Sequence, residues 1–348
     1  EKGYVADNRM YALQSGFEHK SQNSENNLIF HYHNYDRDYH NAGYLDEYDS
    51  KSLVVKADRS TKLNNKFSFG YGSEYKYDWG AFENRGSYTA STKGHMKDFG
   101  FFANAGYKIN ENQTLSIYGR TDDHNTAGSN QTYKLNFIQI LGKFKFGATH
   151  STGLRNPSLY ELYGSDNYGI RGNTKLNPEK SETNELYGEY NFSETIKFTS
   201  TGYRAKVFDR IESNAAYSKH ENELVDITQE GLESELLFNK NNQNISLFTN
   251  FSKSRKANGS AQARRPDLSY GANYSKKFKS NMYGPFSLNL NYKYTGQFID
   301  YDGTVNSRQK STDLVDLSIK KNWFGNVISI NITNLLNERY EKPATYSQ

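Results

Sequence analysis

About sixteen strand-like segments, each roughly ten residues long, follow one another along the 348 residues, and the joins between them alternate in length. Short joins fall near 20–25, 61–64, 108–111, 140–142, 193–194, 240–242, 278–284 and 321–324. Long polar joins fall near 37–49, 78–94, 122–130, 155–181, 211–221, 255–264 and 300–310. A soluble sandwich has no reason to place all its long loops at one end. A transmembrane β-barrel does, because its turns are short on one side of the membrane and its external loops are long.

Inside the segments the side chains repeat with period two, which puts alternate residues on opposite faces of a sheet. In 66–77, Phe67, Phe69, Tyr71, Tyr75 and Tyr77 share one face, and Ser68, Gly70, Gly72, Glu74 and Lys76 the other. In 286–295, Phe286, Leu288, Leu290, Tyr292 and Tyr294 oppose Ser287, Asn289, Asn291, Lys293 and Thr295. Ile328, Ile330 and Ile332 oppose Ser329, Asn331 and Thr333. One such strand fits a half-buried sheet in a soluble protein, with the apolar face inside. So many long strands, with charges and glycine on the second face, fit lipid on one side and a wet lumen on the other. Closure also removes the exposed edges that long strands otherwise present. The predicted fold class is all-β, a transmembrane antiparallel barrel whose apolar faces point outward.

Composition agrees where it bears on this. Only 35% of residues are hydrophobic and the mean hydropathy is −0.92, so no apolar run is long enough for a spanning helix. A barrel needs none, since only every second strand residue meets lipid. The 29 Tyr against 2 Trp suit a membrane interface, where the ring meets lipid and the hydroxyl stays wet. The 5 Pro are few, as a sheet of long strands requires. Without Cys there are no disulfides, thiolate metal sites or thiol nucleophiles. A formal net charge of +4 gives no case for nucleic acid.

No catalytic constellation emerges, and no metalloprotease helix, phosphate loop or nucleophile elbow is present. The chain is therefore not expected to be an enzyme. His31 and His33 share a strand face and can ligate a metal, though polar lumen residues look the same in sequence. The acidic loop 34–49 offers Tyr35, Asp36, Asp38, Asp46 and Asp49 as oxygen ligands for Ca²⁺, without the fixed spacing of a known motif.

The longest loop carries a specific pattern. It reads Gly153-Leu154-Arg155-Asn156-Pro157-Ser158-Leu159-Tyr160-Glu161-Leu162-Tyr163-Gly164, then Gly172-Asn173-Thr174-Lys175-Leu176-Asn177-Pro178-Glu179-Lys180-Ser181. This resembles the barrel signature of TonB-dependent outer-membrane receptors. Asn334-Leu335-Leu336-Asn337-Glu338-Arg339-Tyr340 is similar to a segment of the family's penultimate strand. Residues 119–125, 203–211 and 231–235 lean toward the cobalamin (vitamin B12) receptors within the family, and similar segments recur in siderophore and haem receptors.

The resemblance implies a 22-stranded barrel, of which residues 1–348 would supply about sixteen strands, truncated at both ends and without the plug domain. It implies a monomer in the Gram-negative outer membrane. Such a receptor imports a scarce nutrient chelate, with energy passed from TonB through the plug. The cobalamin receptor uses Ca²⁺ to order external loops, and loop 34–49 occupies a similar place. Physically, Pro157 and the residues after it predict a short helical turn, and Gly164 and Gly172 allow positive φ. Arg155, Tyr160, Tyr163 and Arg171 are the candidate ligand contacts. The lack of any His between His150 and His220 argues against haem. A passive porin-type channel is the alternative of another class.

Overall fold

The computed structural model describes residues 5–41, 43–214, 216–279, 284–301 and 306–340. Twenty strands and one short helix occur in the order β1 (Val5–Lys20), β2 (Ser24–Asn41), β3 (Tyr44–Lys62), β4 (Phe67–Arg85), β5 (Ala90–Asn110), β6 (Gln113–His124), β7 (Gly128–Leu141), β8 (Phe144–Arg155), α1 (Leu159–Tyr163), β9 (Glu179–Asn191), β10 (Ile196–Phe208), β11 (Ile211–Ser213), β12 (His220–Asn222), β13 (Ile227–Lys240), β14 (Gln243–Lys256), β15 (Leu268–Phe278), β16 (Phe286–Thr295), β17 (Phe298–Tyr301), β18 (Asn306–Gln309), β19 (Thr312–Trp323) and β20 (Asn326–Ile332). Sixteen of them form one antiparallel sheet in sequence order. The short pairs β11–β12 and β17–β18 stand apart as two-stranded ribbons. No helix of the described residues is long and apolar enough to cross a membrane.

The chain divides into two compact units. The first comprises residues 1–137, 150–182 and 207–226. In it, register partners carry each face across four strands. Phe30 pairs with Val55, Val55 with Tyr75 and Tyr75 with Phe99, giving one apolar row. One residue along, Ile29, Lys56, Glu74 and Gly100 form a row on the polar face. The core of this unit lies under the signature loop, where Met96, Leu162, Leu176 and Ile211 are buried with Leu159 and Tyr163 against them.

The second unit comprises residues 138–149, 183–206 and 227–348. Its strands β13 to β16, β19 and β20 pair in succession. Asn273 opposes Asn291, Asn289 opposes Ser318, and Ser318 opposes Asn331, so its polar face has a run of small uncharged groups, flanked by Asp316 opposite Asn291 and Lys320 opposite Ser287. The other face bears Leu290, 39% exposed, and Ile330, 56% exposed. Phe67, Phe69, Leu288 and Leu290, expected to face outward, are all absent from the buried core.

Three expected long loops turn out to be strand. β2 and β3 run through 37–49 and meet at a turn beside Gly43, β4 and β5 run through most of 78–94, and β6 and β7 leave only 125–127 between them. The reason is that alternation outlasts the membrane. Crossing takes about 9–11 tilted residues, whereas β3 has 19. Past Leu53 and Val55 the same face turns to Lys51, Asp49 and Glu47, so the ladder continues into water. The turn expected at 278–284 and the loop at 300–310 lie partly outside the described residues. The segment 334–340 does not continue a strand. It follows β20 as a turn, with Asn334 at φ 51° and its side chain accepting from the Glu338 amide at 2.8 Å.

Candidate functional site

The site is built around the signature loop in the first unit. Pro157 is buried, and Ser158 caps α1. The Ser158 hydroxyl accepts from the Glu161 amide at 3.2 Å while the Glu161 carboxylate accepts from the Ser158 amide at 2.7 Å, a reciprocal capping box. The helix stops at Gly164, whose amide donates to the Tyr160 carbonyl. Gly164 has φ −62°, and Gly172 is not among the positive-φ glycines. Their value is therefore closeness and not a left-handed backbone. A Cβ at Gly172 would stand 2.4 Å from the Leu162 carbonyl oxygen, and one at Gly164 2.4 Å from the Tyr160 ring.

Arg155 is consumed by this scaffold. Its fork donates to Glu179 at 2.8 and 2.7 Å and to Glu161 at 3.0 and 3.1 Å. Glu179 in turn accepts from the Ile211 amide at 2.8 Å, which joins α1, the start of β9 and β11 through one guanidinium. The hydrogen bonds from Arg155 hold the Glu179 carboxyl below its ordinary value. Burial pushes Glu161 the other way, but Arg155 and Ser158 together leave it lowered. Arg171 is consumed too, donating to the carbonyls of Asp166, Ile170 and Tyr88. Tyr163 packs its ring where a Cβ at Gly94 would be, and its carbonyl accepts from the Thr92 hydroxyl.

Tyr160 is different. Its ring meets Tyr48, Phe82 and His220 edge-on at centroid distances of 6.2, 5.9 and 5.9 Å. Its hydroxyl donates to Asp166 Oδ2 at 2.8 Å, and Asp166 Oδ1 accepts from the amides of Tyr168 and Ile170. Burial, then Asp166, pushes the Tyr160 phenol well above the ordinary range. Burial, then the Asp46 charge, does the same for Tyr48. These groups border a cavity of about 630 Å³ that also takes in Tyr35, Arg37, Tyr39, Asp46, Ser50 and Tyr168.

Of the four contacts expected in the signature loop, the cavity thus keeps Tyr160 alone. Sequence reasoning missed Arg37, Tyr39, Tyr48, Phe82, Asp166 and Tyr168. The signal available was period two. Tyr35, Arg37 and Tyr39 share a face with Asp46 and Tyr48 through the β2–β3 register, which needs β2 and β3 to be strands where a loop was expected. His220, far along the chain from the signature, sits on Tyr160, so sequence distance gave no sound argument against haem.

The residues expected to ligate Ca²⁺ are split by the same register. Asp36 pairs with Asp49 and Asp38 with Glu47 on one face, while Tyr35 and Asp46 lie on the other. Burial, then the neighbouring Asp36 carboxyl, raises Asp49, and Lys51 stands 3.9 Å from it. Asp46 is 2% exposed, and its Oδ1 already accepts from the amides of Asn84 at 2.7 Å and Asn167 at 2.6 Å. Among the described residues no three His, Asp or Glu groups come together as a metal cage. The five residues are thus divided between the two faces of the sheet. Asp46 clamps the loop, through Asn167, to β3 and, through Asn84, to β4.

The comparison with known proteins decides the family. Residues 2–335 match the model described as TonB dependent receptor-like, beta-barrel. The chain belongs to the TonB-dependent receptor-like β-barrel family. The family is one of outer-membrane transport receptors, and its members lie in the Gram-negative outer membrane. The vitamin B12 transporter BtuB of Vibrio cholerae serotype O1 is 26% identical over 233 residues, 65% of this chain and 36% of that relative. The siderophore receptor PirA from Acinetobacter baumannii superposes with a TM-score of 0.80 at 14% identity, over 97% of this chain and 60% of that one. A mutant of the ferric enterobactin receptor PfeA from Pseudomonas aeruginosa gives 0.79 at 18% identity, over 94% and 56%. The chain therefore spans about a third of the curated relative's length and three fifths or less of these solved receptors.

Proposed function

We propose that this chain is the strand domain of an outer-membrane receptor that captures a large, scarce nutrient chelate and imports it with energy received from TonB through a plug domain. The observation that carries this is the cavity under the external ends of β2 to β4. It is walled by Tyr35, Tyr39, Tyr48, Phe82, Tyr160 and Tyr168, with Asp46, Asp49, Asp166 and Arg37 as its charges. Stacked and edge-on aromatic rings hold a broad ligand without a demand for charge. One guanidinium against three carboxylates disfavours a polyanionic catecholate and suits a neutral or weakly charged chelate.

Cobalamin is the ligand we favour. The similarity to BtuB supports it, as does the charge balance of the cavity. A ferric siderophore is the second candidate, supported by the likeness in fold to PirA and PfeA. The test is equilibrium binding to the detergent-solubilised full-length protein of cyanocobalamin, a ferric catecholate and haem. Cobalamin binding that weakens at least tenfold in Tyr160→Ala and in Tyr168→Ala is the expected result. Selective binding of the ferric siderophore or of haem would replace cobalamin. A full-length protein that binds none of the three and conducts small solutes passively would overturn the receptor reading.

A further inference from the structure

Two imidazoles stand side by side on the polar face of β2, in the row that leads to the cavity. His31 pairs across the ladder with Val54 and His33 with Ser52. The same face carries Tyr35, so the pair sits one side-chain position, about 7 Å, from the cavity's wall. His31 Nε2 and His33 Nδ1 face each other at 3.4 Å, with the rings inclined at 59°. That separation is at the long end for a hydrogen bond between two imidazoles. It is also the edge of a different figure. Two nitrogens bound to one tetrahedral Zn²⁺ at about 2.0–2.1 Å lie about 3.3–3.4 Å apart.

We propose that His31 and His33 form a two-histidine chelate for a borderline divalent metal, with Zn²⁺ as the ion the geometry fits. Neutral imidazoles suit Zn²⁺, Cu²⁺ and Ni²⁺ and discriminate against Ca²⁺ and Mg²⁺, which require oxygen. The stiffness of the ladder sets the separation before any metal arrives, so the second ring binds as an intramolecular partner of the first. Both rings are half-exposed on the polar face, which leaves the remaining coordination positions to water or to a donor on an incoming molecule. Nothing in this assignment depends on which chelate the aromatic cavity takes.

The experiment is calorimetric titration of Zn²⁺ into the detergent-solubilised full-length protein, repeated with His31→Gln, His33→Gln, the double variant and His19→Gln. His19 lies exposed on β1 and serves as the control for stray imidazole binding. One Zn²⁺ site per chain is expected at the pair. Either single variant should weaken it about a hundredfold, the size of an intramolecular second contact. His19→Gln should leave it unchanged, and excess Ca²⁺ should not compete. The circular dichroism of every variant should match the parent, since Gln keeps the strand alternation. Absence of Zn²⁺ binding overturns the proposal, and so does binding that survives in the double variant.

Discussion

The Tyr160 hydroxyl donates to Asp166 Oδ2 at 2.8 Å, six residues along the same loop, while its ring is held edge-on by Tyr48 and Phe82 from two strands. One side chain thereby fixes the conformation of the signature loop and forms part of the cavity wall. Tyr160→Phe keeps the ring and removes one hydrogen bond, so it should cost about 1 kcal/mol in loop stability and leave ligand affinity within a few-fold. Tyr160→Ala removes the ring as well, and ligand affinity should fall at least tenfold. Binding and thermal unfolding of the two variants side by side separate the two roles.

Arg155 is predicted to act through its two carboxylates and not on ligand. Arg155→Ala should loosen the loop by on the order of 1–2 kcal/mol, below the cost of a fully buried pair because solvent screens it. Its side chain is 45% exposed. Arg155→Lys should recover only part, since an ammonium cannot span two carboxylates as a fork. Hydrogen exchange at the Ile211 amide, which donates to Glu179, reads the change locally. Unchanged exchange in Arg155→Ala would show the fork to be idle.

The same network sets a pH dependence. Glu161 and Glu179 are both held below the ordinary 4.5. Groups with depressed folded-state values contribute stability that is fully present above 4.5 and is lost as the pH falls through the folded-state values. Protection of the Ile211 amide should therefore be flat from neutral pH down to about 4.5 and decline below it. In Glu179→Gln the decline should shrink and the plateau should start lower.

Asp46 is predicted to be a clamp. Asp46→Ala strands the buried amides of Asn84 and Asn167, which both donate to it, at about 1–3 kcal/mol. The double variant with Asn167→Ala should recover part of this, because one stranded donor is removed with its acceptor. Ca²⁺ should not raise the melting temperature of the wild type. A Ca²⁺-dependent rise that disappears in Asp46→Ala would contradict the clamp.

Gly172 tests close approach. With a Cβ 2.4 Å from the Leu162 carbonyl oxygen, Gly172→Ala must displace backbone, so it should destabilise the loop by about 1–3 kcal/mol. Gly128→Ala, at φ 70° with open space around the site, should cost only the strain of a left-handed backbone, about 1–2 kcal/mol. Limited proteolysis within 156–178 should rise in the first variant and stay at the wild-type level in the second.

Much of the architecture was legible in the chain itself. Period two in 66–77 and 286–295, short turns at one end and the signature at 153–181 determined strand, face and family, because each is a local or fixed-spacing property. The helical turn at α1 was legible for the same reason, since Pro157, Ser158 and Glu161 carry its capping chemistry within a few residues. Tertiary structure alone decided how the external residues are used. The register of β2 on β3 sends Asp36 and Asp49 to one face and Tyr35 and Asp46 to the other, which a sequence read as loop does not reveal. It also turned Arg155 and Arg171 into scaffold. A guanidinium becomes a ligand contact or a brace according to which carboxylates and carbonyls reach it, and Glu179, 24 residues away, and Tyr88, 83 residues away, reach these two only once the chain has folded.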